Sequence, residues 1–260
     1  PEIHTEALGK DTQDHNILAE ESTVIVDTVN YKNLIPGKEY TVTGTLMDKA
    51  TGKALQDAEG NAITSTVKFT PEESDGSIDI EFTFDASGLA GTTIVVFESV
   101  YINKKEVGVH ADIEDEAQTI YVPEIHTTAL DESSGSHNVL AGKNAVIIDT
   151  VNYKNLIPGK EYTVTGTLMN KTTGEAVLDA EGNAITSTVK FVPEVANGSI
   201  DVTFEFDASA LENETLVVYE EVFLNEKKVG IHADIEDTEQ TIYVPEIHTN
   251  ALDKSSGSHN

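Results

Sequence analysis

The segment Asp27-Thr-Val-Asn-Tyr-Lys-Asn-Leu-Ile-Pro-Gly-Lys-Glu-Tyr40 decides the organisation of this chain, because it returns unchanged at 149–162. Within it, the β-branched residues Thr28 and Val29 lead into the turn-forming pair Pro36-Gly37. Runs of β-branched residues that end in such pairs are typical of strands followed by tight turns. The segment therefore predicts a β-rich unit that occurs at least twice.

The repeat extends along all 260 residues, and its copies align without an insertion or deletion. Further blocks recur in step: Pro1-Glu-Ile-His-Thr5 at 123–127 and 245–249, and His110-Ala-Asp-Ile-Glu-Asp115 at 232–237. The period of 122 residues fits a whole domain, since solenoid repeats have about 20–50 residues. We predict two domains, 1–122 and 123–244, and an incomplete start of a third repeat at 245–260.

The predicted fold class is all-β, with tandem immunoglobulin-like β-sandwich domains. Val, Ile and Thr are abundant and Trp is absent, which favours strands over helix bundles. Short strands separated by turn signals suggest two packed sheets in each repeat, with no helix. In the first repeat we expect strands at 3–8, 23–31, 39–48, 63–70, 77–85, 92–103, 105–113 and 117–122.

The charge of the chain excludes several partners. With 16 Lys and Arg against 46 Asp and Glu, the net charge is −30, which repels nucleic acids and anionic membranes. No apolar run reaches the ~18 residues of a membrane span. The absence of Cys excludes disulfides and cysteine-based metal sites, and no cofactor is expected.

Alternation along the predicted strands places polar residues among core residues. Thr5 is in phase with Ile3 and Ala7, and the same reasoning turns three further polar residues of the first repeat inward. The inward polar residues are Thr5, Asp27, Glu98 and Gln118, with Thr127, Asp149, Glu220 and Gln240 in the second repeat.

Two buried carboxyls and an amide would form a poor core unless they meet, because a lone buried carboxylate is costly. The alternatives are a satisfied hydrogen-bond cluster, strands exposed on both faces, or a functional site. His110 has the opposite phase from Val109 and Ala111, so strict alternation predicts an exposed ring. A β-bulge at Gly108 would reverse that phase.

Several spaced motifs resemble one family over both complete repeats. Ile94-Val-Val-Phe-Glu98 and Leu216-Val-Val-Tyr-Glu220 resemble the signature of VaFE repeats in Gram-positive surface adhesins. His110-x4-Asp115-x2-Gln118 and its copy, which starts at His232, are similar to the C-terminal motif of Thr–Gln ester-bond domains. The Ile-x-Thr-x-Ala opening resembles the same family, which implies a CnaB-like sandwich.

The resemblance implies an autocatalytic intramolecular ester between a first-strand Thr and a last-strand Gln, with release of ammonia. Carried over by position, the cross-link pairs are Thr5–Gln118 and Thr127–Gln240, the assisting acids are Asp27, Glu98, Asp149 and Glu220, the assisting histidines are His110 and His232, and the supporting acids are Asp115 and Asp237. Thr128 is a weaker nucleophile candidate, because its equivalent is Glu6. Thr249 has no partner Gln within this chain and should stay unreacted.

The resemblance also implies a biological setting. The repeats would form the stalk of an extracellular, cell-wall-anchored adhesin, with single-turnover cross-linking in place of enzymatic turnover. We expect a monomer whose host-surface ligand is bound by a tip domain outside this chain.

The residues alone leave three other interpretations of the function open. A Lys–Asn isopeptide stalk would need a Lys in each copy, but Lys10 becomes Glu132. A calcium-rigidified ectodomain could use the acidic segment 112–116 near the domain junction, because calcium prefers carboxylate oxygens. A ligand-binding module is the third, although the aromatic residues that usually line such sites are few.

Overall fold

The computed structural model describes residues 1–249 and contains two β-sandwich domains in tandem. Between Tyr121, which ends the last strand of the first domain, and Glu124, which begins the second, only Val122 and Pro123 intervene. The all-β prediction is confirmed. Within this described part, no helix is long and apolar enough to cross a membrane.

The first domain has nine strands and one 3-10 turn. They are β1 (Glu2–Gly9), β2 (Thr23–Lys32), β3 (Tyr40–Asp48), β4 (Lys53–Ala54), β5 (Thr64–Phe69), β6 (Gly76–Phe84), β7 (Thr93–Ile102), β8 (Lys105–His110), the 3-10 turn Glu116–Gln118 and β9 (Thr119–Tyr121).

The second domain repeats this order with eight strands. They are β10 (Glu124–Asp131), β11 (Ala145–Lys154), β12 (Tyr162–Asn170), β13 (Thr186–Phe191), β14 (Gly198–Phe206), β15 (Thr215–Leu224), β16 (Lys227–His232) and β17 (Thr241–Tyr243).

Each domain packs a small sheet on a larger one. In the first domain β1-β2-β6 form one antiparallel sheet, and the second has β3 and β7 at its centre. On the second sheet β4 and β5 pair with the outer side of β3, while β8 and β9 pair with the outer side of β7. The alternating side chains of each strand meet between the sheets, so each domain has its own apolar core.

The first and last strands of a domain meet at the same edge of the sandwich. Strand β1 is one edge of the small sheet, and it contacts β8 and β9, which lie at one edge of the large sheet. The Ile3 side chain occupies the space beside Gly108, where a Cβ would come within 2.4 Å of Ile3 Cδ1. This edge is therefore closed by side chains from both sheets.

Each predicted strand has a counterpart in the structure, with three local differences. The predicted strand 105–113 ends at His110. The short strand β4 was not predicted, because two residues carry no alternation signal. The predicted strand 117–122 begins only at Thr119, since the Asp115 side chain accepts from Ala117 N and caps a 3-10 turn over Glu116–Gln118. Gln118 thus lies immediately before the last strand and not within it.

The predicted exposure of His110 is wrong. The β7–β8 pairing shifts register between Val100 and Tyr101, which leaves Val107 unpaired beside Gly108 and places His110 directly opposite Glu98. Directly paired residues share a face, so His110 points inward and Val109 is 56% exposed. The same shift places His232 opposite Glu220 in the second domain.

Candidate functional site

The inward polar residues form one buried cluster in each domain. In the first, Thr5 comes from β1, Asp27 from β2, Glu98 from β7 and Gln118 from the 3-10 turn, and none is more than 6% exposed. The equivalent residues of the second domain are at most 4% exposed. The two sheets therefore bring together polar groups that are up to 113 positions apart in sequence.

In the first domain, the two carboxyl groups hold the hydroxyl and the carboxamide. The hydroxyl of Thr5 donates to Glu98 Oε2 over 3.2 Å. The amide nitrogen of Gln118 donates to Asp27 Oδ1 over 3.1 Å. Thr5 and Gln118 are thus held by the two members of one carboxyl pair.

The second domain repeats the geometry closely. Thr127 donates to Glu220 Oε2 over 3.1 Å, and Gln240 donates to Asp149 Oδ1 over 3.0 Å. Here the amide nitrogen of Gln240 also contacts the hydroxyl oxygen of Thr127. The hydroxyl and the carboxamide lie side by side between the sheets.

A partly buried histidine–aspartate pair borders the cluster. His110 Nε2 lies 2.7 Å from Asp115 Oδ2, and the His110 side chain is 18% exposed. The other oxygen of Asp115 accepts from Ala117 N over 2.8 Å. Asp115 therefore joins the ring of His110 to the turn that carries Gln118, and Asp237 contacts His232 in the same way.

The carboxyl pair holds a proton at neutral pH. Burial, followed by the nearby charge of Asp27, raises the pKa of Glu98 to about 10. Burial also raises the pKa of Asp27, to about 6, while hydrogen bonds from Gln118 and Glu98 act in the opposite direction. Near pH 7, Glu98 is protonated and Asp27 is ionised, as expected for two carboxyls that cannot both carry charge.

The pKa values of the carboxyl pair in the second domain shift in the same direction. Burial and the neighbouring Asp149 raise the pKa of Glu220 to about 11. Burial raises the pKa of Asp149 as well.

Three oxygens of the first cluster are buried without a hydrogen-bond partner in residues 1–249: Asp27 Oδ2, Glu98 Oε1 and Gln118 Oε1. Their equivalents in the second domain are unpartnered too. The proton of the carboxyl pair can serve a carboxyl oxygen, but the carbonyl of Gln118 has no donor. Each unsatisfied buried group costs about 1–3 kcal/mol, so a purely structural network is a poor explanation for this cluster.

Small residues and an aromatic ring pack around the site, and the sequence analysis did not predict them. Gly44 is the β3 neighbour of Glu98, and a Cβ there would come within 2.5 Å of Phe82 Cζ. The fully buried Ala7 is the β1 neighbour of Asp27. Gly44 lies alone in a β-branched strand, a pattern that often marks close packing.

The remaining candidate residues lie outside the clusters. Thr128 is half-buried on the opposite face of β10 from Thr127, and Thr249 is exposed. The side chains of His4, His126 and His248 are at least 66% exposed. Across residues 1–249, no group of three or more His, Cys, Asp or Glu is placed to hold a metal ion.

Comparison with known protein families matches both repeats, at residues 1–122 and 123–244, to the T-Q ester bond containing domain. The chain belongs to this family. Among curated proteins, no sequence matches it significantly.

Several solved structures are similar in outline. A bacterial adhesin from Mobiluncus mulieris containing intramolecular disulfide, isopeptide and ester bond cross-links is 15% identical, with a TM-score of 0.42 over 84% of this chain and 80% of that one. The C-terminal domain of the Streptococcus agalactiae AgI/II polypeptide BspA is 11% identical, with a TM-score of 0.39 over 87% and 97% of the two chains.

The raised pKa of Glu98 can be measured in a Thr5→Ala variant, which keeps both carboxyls of the first T-Q domain. We expect Glu98 to titrate above neutral pH, since burial and Asp27 still act on it. Asp57, whose pKa is lowered by a backbone hydrogen bond from Asn61, provides an exposed control. Carboxyl ¹³C NMR during a pH titration measures both groups. A Glu98 that titrates at an ordinary glutamate value contradicts the shared-proton assignment.

Proposed function

We propose that each T-Q domain forms an intramolecular ester, between Thr5 and Gln118 in the first and between Thr127 and Gln240 in the second. The supporting observation is the buried arrangement in which one carboxyl pair binds both the hydroxyl and the carboxamide. Holding two reacting groups together removes much of the entropic cost of their encounter.

The carboxyl pair forms a path for the proton that must leave the threonine. Thr5 donates to Glu98, Asp27 accepts from the Gln118 nitrogen, and the two carboxyls share one proton between them. As Thr5 Oγ1 attacks Gln118 Cδ, Glu98 takes the hydroxyl proton and passes its own proton to Asp27. Asp27 then protonates the departing nitrogen, in the manner of a general acid.

The reaction balances without a co-reactant. The Oγ1–Cδ bond forms, the Cδ–Nε2 bond breaks, and ammonia leaves with the two amide hydrogens and the relayed proton. Glu98 ends protonated and Asp27 ionised, as they began. Because nucleophile and electrophile both belong to the chain, each domain reacts once and does not turn over.

His110 and Asp115 act on the carboxyl pair in this proposal. A positive charge on His110 lowers the pKa of Asp27 and so favours its ionised form. Asp115 fixes the ring and the Gln118 turn together. The Thr5 hydroxyl donates its hydrogen bond to Glu98. We therefore assign proton removal to Glu98 and a positioning role to His110.

The ester would act as a mechanical clip. Thr5 lies in β1 and Gln118 directly precedes β9, so tension entering at one end would cross the bond and leave at the other. The chain between them would carry no load. By analogy with disulfides, closing a loop of about 100 residues adds roughly 4–5 kcal/mol of stability.

The array as a whole suits the stalk of an adhesin anchored to a cell wall. Stiff, cross-linked spacers would project a ligand-binding tip domain, outside this chain, toward a host surface. The net charge of −30 keeps neighbouring stalks apart and favours a monomer. Burial of both ester sites would protect the bonds from water and the folded domains from proteases.

Intact-mass spectrometry tests the cross-links directly. The folded chain should weigh about 34 Da less than its sequence mass, because two ammonia molecules leave as the two covalent bonds form. Thr5→Ala should halve the deficit, and a further Thr127→Ala should abolish it. The neighbouring Thr128→Ala is the matched control and should keep the full deficit. A chain at full sequence mass contradicts the proposal.

The relay predicts a bell-shaped pH dependence for ester formation. The rate should rise as Asp27 ionises near pH 6 and fall as Glu98 loses its proton near pH 10. Mass measured over time after cell-free synthesis, in buffers below, within and above this window, gives the rates. Glu98→Gln should slow the first domain strongly and leave the second unchanged. A flat profile rules out the relay.

Force spectroscopy tests the clip. With both esters formed, stretching should release almost no length from either domain before the chain detaches. In Thr5→Ala the first domain should unfold and release roughly 38 nm, at about 3.4 Å for each residue between positions 5 and 118. Equal extensions for the parent chain and the variant would show that the bond does not carry the load.

A further inference from the structure

Besides the two clusters, the structure contains a polar contact between the domains that the cross-linking chemistry does not use. The loop after β1 reaches from the first domain onto the second. There the Tyr162 hydroxyl donates to Asn16 Oδ1 over 2.5 Å, and Asn16 Nδ2 donates to the Asn155 carbonyl over 3.1 Å. Lys160 binds both carboxylate oxygens of Asp14 at 2.7 and 2.6 Å. We call the segment 14–18 the latch loop and the segment 155–162 its receiving face.

The latch loop is anchored to the strand that leaves the first domain. Tyr121 N donates to the His15 carbonyl over 2.8 Å, and Ile17 N donates to the Tyr121 carbonyl over 3.1 Å. The His15 ring also contacts the Thr119 carbonyl at 2.9 Å. The loop is therefore hydrogen-bonded to β9, the strand that follows Gln118, at three points.

Equivalent residues on the two domains differ in exposure where the domains meet. On the latch side, Asn16 is 0% exposed while its copy Asn138 is exposed, and half-buried Leu18 corresponds to Leu140 at 78%. Pro123 is buried, whereas Pro245 is exposed. The second domain thus presents an uncovered copy of the latch loop.

The first domain presents an uncovered copy of the receiving face. Asn33 and Lys38 are exposed, whereas their copies Asn155 and Lys160 are half-buried at the junction. Tyr40 accepts from Ile35 N over 2.9 Å, as Tyr162 does from Ile157 N. Within residues 1–249, Tyr40 makes this bond and not the second one, to an asparagine of a preceding repeat.

We propose that the latch loop and the receiving face are a reusable head-to-tail joint, and that the exposed copies on this chain dock further repeats. The latch around Asn138 would receive a following repeat, and the face around Tyr40 would dock onto a preceding one. The sequence supports this occupant, since a new copy of the repeat starts at Pro245 and contains Ser258-His259-Asn260 at the latch position. Such a heterologous joint does not close on itself, so repetition gives an open rod.

The joint at Asn138 differs in one respect. Ser136 replaces Asp14, so the ion pair with lysine is absent there while the amide–phenol pair remains. The shared element of the joint is therefore the asparagine–tyrosine contact, which desolvates both polar groups. Either group left alone would lose a buried hydrogen bond, which disfavours bent or rotated arrangements of the domains.

The test uses a three-repeat chain in which a second copy of residues 123–244 follows Val244. The chain has no Cys, so spin labels attach only at introduced cysteines. Ser77→Cys with Ser199→Cys measures the first joint, and Ser199→Cys with the same change in the added copy measures the second. Double electron–electron resonance gives the distance distribution across each joint.

We expect narrow distributions at both joints of the parent chain. Asn138→Ala should broaden the distance distribution of the second joint about two-fold and leave that of the first unchanged. Asn16→Ala should broaden the first and leave the second unchanged. The reason is that domains move freely relative to each other unless a joint holds them. Tyr162→Phe, which keeps the ring, should broaden the first joint, and Tyr40→Phe should change neither. The mass deficit should be the same in all variants, which separates this test from that of the esters.

The proposal is overturned if the second joint of the parent is as broad as in Asn138→Ala, or if Asn138→Ala leaves its width unchanged. It is also overturned if Tyr162→Phe and Tyr40→Phe have the same effect on the first joint.

Discussion

The rest of the site depends on two carboxyl groups that share one proton in a place water does not reach. Asp27 and Glu98 are almost completely buried on facing sheets, and burial raises the pKa of both. One of them must therefore stay protonated at neutral pH, which makes the pair an acid and a base at once. The threonine hydroxyl and the glutamine amide bind opposite members of this pair, so proton donor and proton acceptor are positioned before any bond changes.

The sandwich places the buried polar cluster at the edge where the first and last strands meet, which is where the proposed ester would bear load. A two-sheet domain is open along its edges, and the first and last strands meet at one such edge. The clusters lie between the sheets at that edge, so the proposed ester would join the strand that enters the domain to the strand that leaves it. Side chains such as Ile3 against Gly108 close the same edge and keep the site dry. Close packing at this edge thus serves both the stability of the domain and the exclusion of water from the site.

The contact between the two domains links the end of one domain to the orientation of the next. The latch loop is bonded to β9, so the strand that would carry tension from Gln118 also orients the next domain. The buried Asn16 satisfies its amide through partners in both domains, which ties the relative orientation of the domains to polar pairing. A rod made from such joints needs neither long linkers nor disulfides.

The sequence by itself determined the repeat, the strand phases and the inward direction of Thr5, Asp27, Glu98 and Gln118, because a two-residue alternation is local and can be read along one strand. It failed for the face of His110, which depends on a bulge in the pairing with β7. It also failed for the element that carries Gln118, because a side-chain cap forms a 3-10 turn there in place of a strand. Only the tertiary structure decided which carboxyl keeps the proton, since desolvation depends on neighbours from other strands. It alone also revealed the contact of Asn16 with Tyr162, because groups 146 positions apart meet only when both domains are folded.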